Sequence, residues 1–556
     1  MFRLMYVIVA NLWALISLPL WGFHYRFAAA RRGILRFRIA STVPEIARPF
    51  LFGFGNRGLT LEILRETIDR AGRDPRVTGL CVSLEHFAGG AAQALSLRRA
   101  LARARQRGLG LTVHLPFGGG TWEYFIATVA DRVVLGTGSQ LGPVGLASQS
   151  FFLKNALAPL GIEPEVMAIG KYKSAGDMFT RESMSEAERE QRTEYLDVIW
   201  ETVREGIGEG RGVSTEVVER WLNQGLFTAK EALELRLVDH VAHEDELLEL
   251  LGGTSGPSKF VQLELYRRRR RTRFVALRRP ATVAVIPVFG TISQGSSAAF
   301  SVADEASVVA ALECAEEAPE CRGAVVLINS RGGGALTSER IHRKLALLSK
   351  KKPVVACFSD AAASGGYMIG VAAHCIVAEP TTLTGSIGVV FARLSVSEIA
   401  KRLGVGVESL QRGDHALVNS VFHSLSEAER ELLERELQAT YEGFVRIVAE
   451  GRRRPVSEVE PLAGGRVYSG LAAQRLGLVD KLGGFELAVS EVSRLVGRSL
   501  VPELIAQRAW PNPLARLLGE RFGWVPGQSG LLDIAFLFSG SGRERVLALC
   551  PTVISP

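Results

Sequence analysis

The sequence predicts an α/β fold built from two tandem copies of one domain, with a transmembrane helix in front of them. Three observations carry this prediction. Short β-branched runs alternate with helical patterns, a set of motifs recurs about 241 residues later, and residues 4–23 carry no charge. Strands that alternate with helices are typical of parallel sheets with crossover helices. An uncharged apolar run of this length is about long enough to cross a bilayer.

The composition is that of an ordinary globular protein. The chain has 556 residues, of which 47% are apolar and 22% charged, and its formal net charge is +8. Wholesale disorder is therefore excluded, and the modest positive charge hints at an anionic surface as a neighbour. The six cysteines form no CxxC pair and no cluster with histidine. We therefore expect no disulfide network and no metal site. No cofactor is expected either.

The predicted anchor occupies residues 1–25. Trp21 and Tyr25 lie where an aromatic belt would be. A cleaved signal peptide is the alternative, with a small-residue site at residues 28–30, but the apolar run exceeds the usual signal core. Five arginines follow the span within residues 26–38. Taken alone, these arginines would keep the bulk of the chain in the cytoplasm.

The duplication is visible in several short motifs. Ser185–Glu190 recurs as Ser426–Glu431, and both segments are capping boxes that open an amphipathic helix. Leu237–Asp239 recurs as Leu478–Asp480 at the same offset of 241 residues. Further upstream the offset is 243, for residues 142–145 and 385–388. We interpret these recurrences as two α/β repeats, at residues 45–255 and 281–497.

Two other segments lie outside the repeats. An arginine-rich linker is predicted at residues 256–280, most simply as a solvated segment and alternatively as a contact for anionic lipid headgroups. Binding to nucleic acid is not favoured, because no recognised fold or interleaved aromatic side chains accompany the arginines. A tail follows at residues 498–556. Its apolar patch, Leu531–Phe538, is too short to span a bilayer.

The strongest candidate for chemistry is a serine at a predicted strand-to-helix turn. The apolar run Val354–Phe358 breaks into small residues before Ser364, and a helix-compatible segment follows. A hydroxyl there would lie near the unpaired N–H groups of a helix N-terminus. A second strand, Ala324–Ile328, leads into a glycine loop at residues 329–334 whose N–H groups could face the same place. The alternative interpretation is that both are ordinary flexible turns.

The two repeats differ at the positions that carry this chemistry. Thr121 lies opposite Ser364, whereas Lys173 lies opposite Asp414. One repeat therefore keeps a candidate base and the other a candidate nucleophile, as expected if a single site is assembled from both. His342 and His374 are the histidines near Ser364 in sequence, and a structural role is favoured for His374. An uncharged lysine can replace histidine as the base if it is buried.

The chain resembles a known family, the long duplicated form of signal peptide peptidase A, also called protease IV. The resemblance rests on four motifs in the same order, at Gly170–Ala175, Asn329–Gly333, Ala363–Tyr367 and Leu383–Gly388. It implies a fold of the Clp protease and crotonase superfamily, with spiral ββα units. It also implies Ser364 as nucleophile, Lys173 as general base and Ser386 as the residue that holds the lysine amine. Gly332, Gly333 and Gly365 would form the oxyanion hole.

The resemblance further implies a membrane-anchored serine endopeptidase that degrades cleaved signal peptides and other extended hydrophobic peptides. A homo-oligomer, tetrameric in the long form, and a place on the outer side of a bacterial cytoplasmic membrane are expected with it. Arg331 stands where the family usually has proline. A non-catalytic peptide-binding scaffold in the membrane is therefore the alternative, and an acyl-thioester enzyme of the same superfamily is a third, less supported one.

Overall fold

The computed structural model describes residues 5, 7–16, 33–46, 58–252, 259–268, 281–294, 302–504 and 547–549. Residues 5 and 7–16 of the predicted anchor are helical, and its remaining residues lie outside these ranges. In the part of the chain that the structure describes, no helix is both long and apolar enough to cross a membrane. The anchor therefore stays a prediction, as does the apolar patch Leu531–Phe538, which also lies outside the described ranges.

The helices are numbered in chain order. They are α1 (7–16), α2 (Leu61–Ala71), α3 (Ala91–Gln106), α4 (Thr121–Ala127), α5 (Lys154–Leu157), α6 (Asp177–Thr180), α7 (Glu186–Arg211), α8 (Thr215–Gln224), α9 (Ala229–Glu234), α10 (Leu247–Gly252), α11 (Leu263–Arg268), α12 (Glu305–Glu317), α13 (Ala335–Ser349), α14 (Gly365–Gly370), α15 (Ser397–Arg402), α16 (Glu427–Arg452), α17 (Val456–Val459), α18 (Gly470–Arg475) and α19 (Phe485–Val496). Short 3₁₀ turns occur at Ala158–Leu160, Ser174–Gly176 and Glu460–Leu462.

The strands are numbered in the same way. They are β1 (Gly33–Ile39), β2 (Val77–Leu84), β3 (Gly110–Leu115), β4 (Arg132–Gly136), β5 (Gln140–Leu141), β6 (Glu163–Ile169), β7 (Phe227–Thr228), β8 (His240–Ala242), β9 (Lys259–Gln262), β10 (Thr282–Phe289), β11 (Thr291–Ser293), β12 (Val302–Asp304), β13 (Cys321–Ser330), β14 (Gly332–Gly334), β15 (Val354–Ala363), β16 (Cys375–Ala378), β17 (Leu383–Gly385), β18 (Val389–Ser395), β19 (Val467–Ser469), β20 (Lys481–Leu482), β21 (Val501–Leu504) and β22 (Leu547–Leu549).

Two compact units divide the chain. The first unit contains residues 1–146 and 199–280, and the second contains residues 147–198 and 281–555. The second unit thus combines one segment of the first predicted repeat with the whole of the second repeat. The repeats are defined by sequence motifs and the units by packing, so their boundaries differ at this segment.

The first unit is organised by a six-stranded parallel sheet in the order β8-β4-β3-β2-β1-β9. A short antiparallel ribbon of β5 and β7 lies beside it in the same unit. Strand β9 and helix α11 fall within the predicted linker at residues 256–280, and Tyr266 of α11 is buried. Residues 259–268 of that linker are therefore regular secondary structure joined to β1, whereas residues 256–258 and 269–280 lie outside the described residues.

The second unit contains two sheets. The larger follows the order β19-β17-β15-β13-β10-β21, with β16 and β20 added beside β15. Its strands are parallel except for β19, which pairs with β17 in antiparallel fashion. Both β13 and β15 are almost continuously buried, as expected for central strands covered on both faces. The smaller sheet follows the order β12-β11-β14-β22-β18-β6, and its last three pairings are antiparallel. The predicted mixed α/β class is therefore confirmed.

The duplication is repeated in the hydrogen bonds of the two halves. Tyr124 donates its hydroxyl proton to the carbonyl of Leu237 at 2.9 Å, and Tyr367 donates to the carbonyl of Leu478 at 2.9 Å. Both tyrosine side chains are fully buried. The two halves therefore share this buried contact at the offsets of 241 and 243 residues that the motifs predict.

An arginine–aspartate pair recurs in the same way. Arg211 pairs with Asp239 at 2.9 Å, and Arg452 pairs with Asp480 at 2.6 Å. Each aspartate also accepts from the backbone N–H of the neighbouring sheet strand, at 2.7 Å and 2.6 Å respectively. These bonds fasten the Leu-Val-Asp motif of each half to its own sheet.

Candidate active site

Ser364 lies at the turn between β15 and α14, where the sequence predicts a strand-to-helix turn. Its φ angle is 56°, a conformation that non-glycine residues rarely adopt and that often occurs at functional sites. The turn is fixed by a hydrogen bond from the N–H of Ser364 to the carbonyl of Gly385, at 2.8 Å. A Cβ on Gly366 would lie 2.8 Å from the carbonyl oxygen of Ser330, so glycine is required for this close approach.

Ser386 follows β17 and has a second positive φ angle, of 52°. Its N–H donates to the carbonyl of Arg466 at 2.7 Å, and the next residue, Ile387, accepts from the N–H of Gly465 at 2.8 Å. Ser364 and Ser386 are both fully buried. Hydrogen bonds therefore hold both serines in strained backbone conformations, and these conformations fix the positions of their hydroxyls.

Lys173 lies in the segment of the first repeat that packs into the second unit. Its side chain is buried, with 4% exposure. The Nζ atom donates to Ser364 Oγ at 2.8 Å, to Ser386 Oγ at 3.1 Å and to the carbonyl oxygen of Ser386 at 3.3 Å. The three predicted residues Lys173, Ser364 and Ser386 are therefore brought together inside one compact unit.

Strand β6 leads the chain toward Lys173 and pairs in antiparallel fashion with β18 over its full length. Glu165, buried in β6, accepts from Arg430 at 3.0 Å and from the N–H of Leu425 at 2.9 Å, and it also forms an ion pair with Arg393. These contacts join the segment 147–198 to the second repeat with both backbone and side-chain bonds.

The predicted oxyanion hole is only partly open to a ligand. Gly332 and Gly333 have φ angles of 107° and 157°, and a Cβ on Gly333 would lie 2.0 Å from the carbonyl oxygen of Ile292. The N–H of Gly332 already donates to Ser330 Oγ at 3.1 Å. Gly365 begins α14, so its N–H belongs to the first turn, where N–H groups have no acceptor within the helix. Strand β14, which holds the two loop glycines, is in contact with α14.

A polar cluster around the lysine loop was not predicted. The guanidinium of Arg466 lies over the ring of Tyr172, 4.8 Å from its centre, and donates to the Tyr172 hydroxyl at 3.0 Å. Arg466 also pairs with Glu194 at 2.8 Å. Burial would lower the pKa of Arg466, but the hydrogen bond and charge of Glu194 raise it above its ordinary value. No motif marks these residues, because each has an ordinary surface residue type.

The two candidate histidines and the counterparts of Ser364 and Lys173 lie outside the serine–lysine cluster. The Nδ1 atom of His374 accepts from the N–H of Val354 at 3.2 Å, and burial lowers the pKa of His342 to about 4. Thr121, the counterpart of Ser364, bonds through its hydroxyl to both the N–H and the carbonyl of Gly145. Asp414, the counterpart of Lys173, is exposed. Within the described ranges, no group of three or more His, Cys, Asp or Glu side chains could hold a metal ion.

Known proteins that are similar to this chain include two relatives named as proteases. A chloroplastic serine protease SPPA of Arabidopsis thaliana is 32% identical over 444 residues, which cover 78% of this chain and 65% of the plant protein. Protease 4 of Haemophilus influenzae is 27% identical over 447 residues, which cover 78% of this chain and 72% of the bacterial protein. A solved ClpP1 variant from Listeria monocytogenes is similar at 16% identity and a TM-score of 0.25, over 37% of this chain and 93% of that one.

The family comparison covers both halves. The profile described as peptidase family S49 matches residues 118–254 and again residues 346–498. The first match contains Lys173, the second contains Ser364 and Ser386, and together they cover more than half of the chain. Two matches in tandem agree with the recurring hydrogen bonds of the two halves. This chain is therefore a member of peptidase family S49, in a long form whose two halves both match the family.

Proposed function

We propose that this peptidase is a serine endopeptidase with Ser364 as nucleophile, Lys173 as general base and Ser386 as the residue that holds the lysine amine. The single observation that carries the proposal is the 2.8 Å distance from Lys173 Nζ to Ser364 Oγ, with Ser386 Oγ 3.1 Å from the same nitrogen. A nucleophile and a base within hydrogen-bond reach, with a third group orienting the base, are what this chemistry requires. Burial of Lys173 supports an uncharged amine, because desolvation disfavours the ammonium form.

The reaction then proceeds in two proton-balanced stages. Lys173 accepts the Ser364 hydroxyl proton as Oγ attacks the peptide carbonyl, and the resulting ammonium donates that proton to the departing amine. Water next attacks the acyl-Ser364 ester and passes its proton to Lys173. The ammonium returns this proton to Ser364 Oγ as the acid product leaves. Ser386 keeps the Nζ atom aimed at Oγ in both stages.

The developing oxyanion would be stabilised by backbone N–H groups of Gly333 and Gly365, with Gly332 as the third candidate. Gly365 offers the first turn of a helix, where N–H groups and the helix dipole favour negative charge. Gly332 would have to exchange its present acceptor, Ser330 Oγ, for the oxyanion. We therefore assign Gly333 and Gly365 the larger part in this proposal.

Extended peptides are the proposed substrates, with cleaved signal peptides and other hydrophobic segments as the class that the family resemblance implies. Strand β22 supports an extended substrate, since it pairs in antiparallel fashion with β14 (Gly332–Gly334) on one side and with Val390 of β18 on the other. A peptide backbone bound in the same way would gain sheet hydrogen bonds independent of its side chains. The spiral ββα fold of the Clp protease and crotonase superfamily is proposed together with this binding mode.

A membrane anchor within residues 1–25 is part of the proposal, together with a place on the outer side of a bacterial cytoplasmic membrane and contact with its lipids. Helix α1 supports the anchor, because its large apolar side chains are mostly exposed, Trp13 by 71% and Ile16 by 64%. The arginines after the span oppose this orientation, although long translocated domains often override local charge. A homo-oligomer, tetrameric by resemblance, completes the proposal. No cofactor is required by this chemistry.

The proposal is tested with purified Ser364→Ala and Lys173→Ala variants assayed on casein and on an apolar peptide. Each variant is expected to lose about 10³-fold or more in kcat while its thermal unfolding stays cooperative. Lys350→Ala, at an exposed lysine, is the matched control and should retain wild-type activity. Activity that survives both changes would refute the assignment of Ser364 and Lys173.

A peptide-binding scaffold without catalysis is the second candidate, and Arg331 in the glycine loop is the observation that favours it. Rigid donors matter for oxyanion stabilisation, so a less constrained loop would weaken turnover. Labelling by a fluorophosphonate distinguishes the two candidates. The endopeptidase is labelled at Ser364 and the Ser364→Ala variant is not, whereas a scaffold leaves both proteins unlabelled.

A further inference from the structure

We infer that Gln191 is a positioning residue that fixes the Lys173 amine against the two serines. This inference rests on the proposed Ser364–Lys173 chemistry and adds a residue that the sequence motifs did not indicate. Gln191 lies in the second turn of α7 and is 1% exposed. A long amide side chain buried to this degree has to satisfy its polar atoms within the protein.

The amide of Gln191 joins two backbone segments. Its Nε2 atom donates to the carbonyl of Tyr172 at 3.2 Å, and its Oε1 atom accepts from the N–H of Val467 at 3.0 Å. Tyr172 immediately precedes Lys173, and Val467 is the first residue of β19. One side chain therefore ties the peptide group before the proposed base to the edge of the second repeat.

The Val467 end of this bridge leads directly to Ser386. The residue before Val467, Arg466, accepts the N–H of Ser386 through its carbonyl at 2.7 Å. Strand β19 also pairs with β17, which ends at the residue before Ser386. The distance between the lysine loop and Ser386 is thus set through a short series of backbone bonds that passes through the Gln191 amide.

The lysine loop has one other backbone anchor on the same segment. The N–H of Tyr172 donates to the carbonyl of Gly464 at 3.0 Å, and a Cβ on Gly170 would lie 2.3 Å from the carbonyl carbon of Gly464. That anchor holds the N–H side of Tyr172, whereas Gln191 holds its carbonyl side. The two bonds hold the two peptide groups on either side of Tyr172. The second of these groups contains the N–H of Lys173, which donates to the carbonyl of Gly170 at 3.2 Å, and its carbonyl also accepts from the N–H of Ser174 at 2.9 Å.

The repeats supply an internal comparison for this inference. The counterpart of Gln191 in the second repeat is Leu432, just as the counterpart of Lys173 is Asp414. Leu432 is partly buried at the equivalent turn of α16. The half that lacks the lysine therefore also lacks the amide, although both helices begin with the same Ser-Glu-Ala-Glu sequence. A purely structural requirement of this helix turn would not call for the amide in one half alone.

The alternative is that Gln191 merely fastens α7 to the second repeat. Tyr195, one turn further along α7, makes such a contact, since its hydroxyl donates to the carbonyl of Thr381 at 2.9 Å. Tyr195→Phe is therefore the matched control, because it removes one buried helix-anchoring bond that does not involve the lysine loop. It should lower the unfolding temperature and leave kcat, KM and the pH profile unchanged.

The test compares Gln191→Met and Gln191→Glu with wild type in the full chain. Gln191→Met removes both bonds at similar volume and is expected to lower kcat about 10- to 100-fold with KM within about twofold, because small displacements of a catalytic group have effects of this size. Gln191→Glu keeps an acceptor for Val467, loses the donor to Tyr172 and adds a negative charge beside the loop. It should move the acidic limb of the kcat/KM profile to higher pH, since it stabilises the ammonium form of Lys173.

The charged groups already near the loop are Arg466, Glu190, Glu194 and Lys171, and all four are retained in these variants. Wild-type kcat and pH profile in both Gln191 variants would overturn the inference, as would a change confined to KM or to the unfolding temperature. The Ser364→Ala and Lys173→Ala results separate the two levels. If those variants are inactive and the Gln191 variants behave as Tyr195→Phe does, the proposed function stands and the positioning role fails.

Discussion

Lys173 and Ser364 are 191 positions apart in the chain, yet the Nζ atom of one lies 2.8 Å from the Oγ atom of the other. The contact exists because residues 147–198 belong to the first repeat by sequence but pack with residues 281–555 in the second unit. Each half alone carries only part of the proposed machinery. The folding of the second unit, rather than any local motif, therefore assembles the site.

The hydroxyl of Ser386 is expected to matter for catalysis independently of its backbone conformation. Ser386→Ala removes the hydroxyl and keeps a side chain at a φ of 52°, whereas Ser386→Gly removes the hydroxyl and relieves the strain. Both variants should lose about 10- to 100-fold in kcat, because Ser386 Oγ bonds the ammonium that forms on Lys173 during the reaction, and a hydrogen bond to a charged group is worth about 1.5–3 kcal/mol. Glycine should be the more stable variant in thermal unfolding. Wild-type kcat in Ser386→Gly would contradict a role for the hydroxyl.

Glu165 is expected to hold the lysine-bearing segment on the second repeat. Its buried carboxylate accepts from Arg430 and Leu425 and pairs with the mostly buried Arg393, so Glu165→Ala removes the only carboxylate beside that guanidinium in the described residues. We expect a destabilisation of about 3–5 kcal/mol, measured by urea unfolding, and loss of activity at a lower temperature than in wild type. Glu163→Ala changes an exposed residue of the same strand and should stay within about 0.5 kcal/mol of wild type. Equal stability of the two variants would contradict the prediction.

The sequence was sufficient to predict the turn at Ser364, because a β-branched run that breaks into small residues and glycine has few alternatives. The asymmetry between the halves, together with the family resemblance, indicated Lys173, whose role as the base stays a proposal. The first pattern is local in the sequence and the second comes from comparing the repeats, so neither requires knowledge of how the chain packs. The α/β class followed from the same alternation of strands and helices.

The contacts of Gln191, Glu165 and Arg466 could not be predicted in the same way. Each joins residues more than 200 positions apart, and each has a residue type that is common on helix and strand surfaces. The partial closure of the glycine loop was also hidden, because the bond from the N–H of Gly332 to Ser330 Oγ depends on backbone angles that glycine leaves unspecified.

The C-terminal strand β22 is expected to compete with peptide substrates. It pairs with β14 (Gly332–Gly334), the strand on which we propose that a substrate backbone binds. Deleting residues 545–556 should lower KM and leave kcat unchanged. The decrease in KM is about tenfold if β22 is paired with β14 nine-tenths of the time. The measurement is a steady-state assay of the truncated and full chains at equal concentration. An unchanged or higher KM would place substrate binding elsewhere.

Glu429 is expected to make the stability of the second unit depend on pH in the acidic range. Burial alone would raise the pKa of Glu429, but hydrogen bonds from the backbone and hydroxyl of Ser426 and from His423 lower it to about 2. A carboxylate whose pKa is lower in the folded state than its ordinary value of 4.5 binds fewer protons when folded. Its stabilising contribution is therefore complete above about pH 5 and declines as the pH falls toward 2.

The check is the unfolding temperature of wild type, Glu429→Gln and Glu427→Gln between pH 7 and pH 3. Glu429→Gln should be less stable than wild type at pH 7. The neutral amide lacks the negative charge that strengthens the three bonds from Ser426 N–H, Ser426 Oγ and His423. It should also lose less stability than wild type on acidification. Glu427 lies exposed in the same first turn of α16, so Glu427→Gln should follow the wild-type pH dependence. If all three proteins lose stability in parallel below pH 5, the cap at Glu429 does not control the acid sensitivity of this unit.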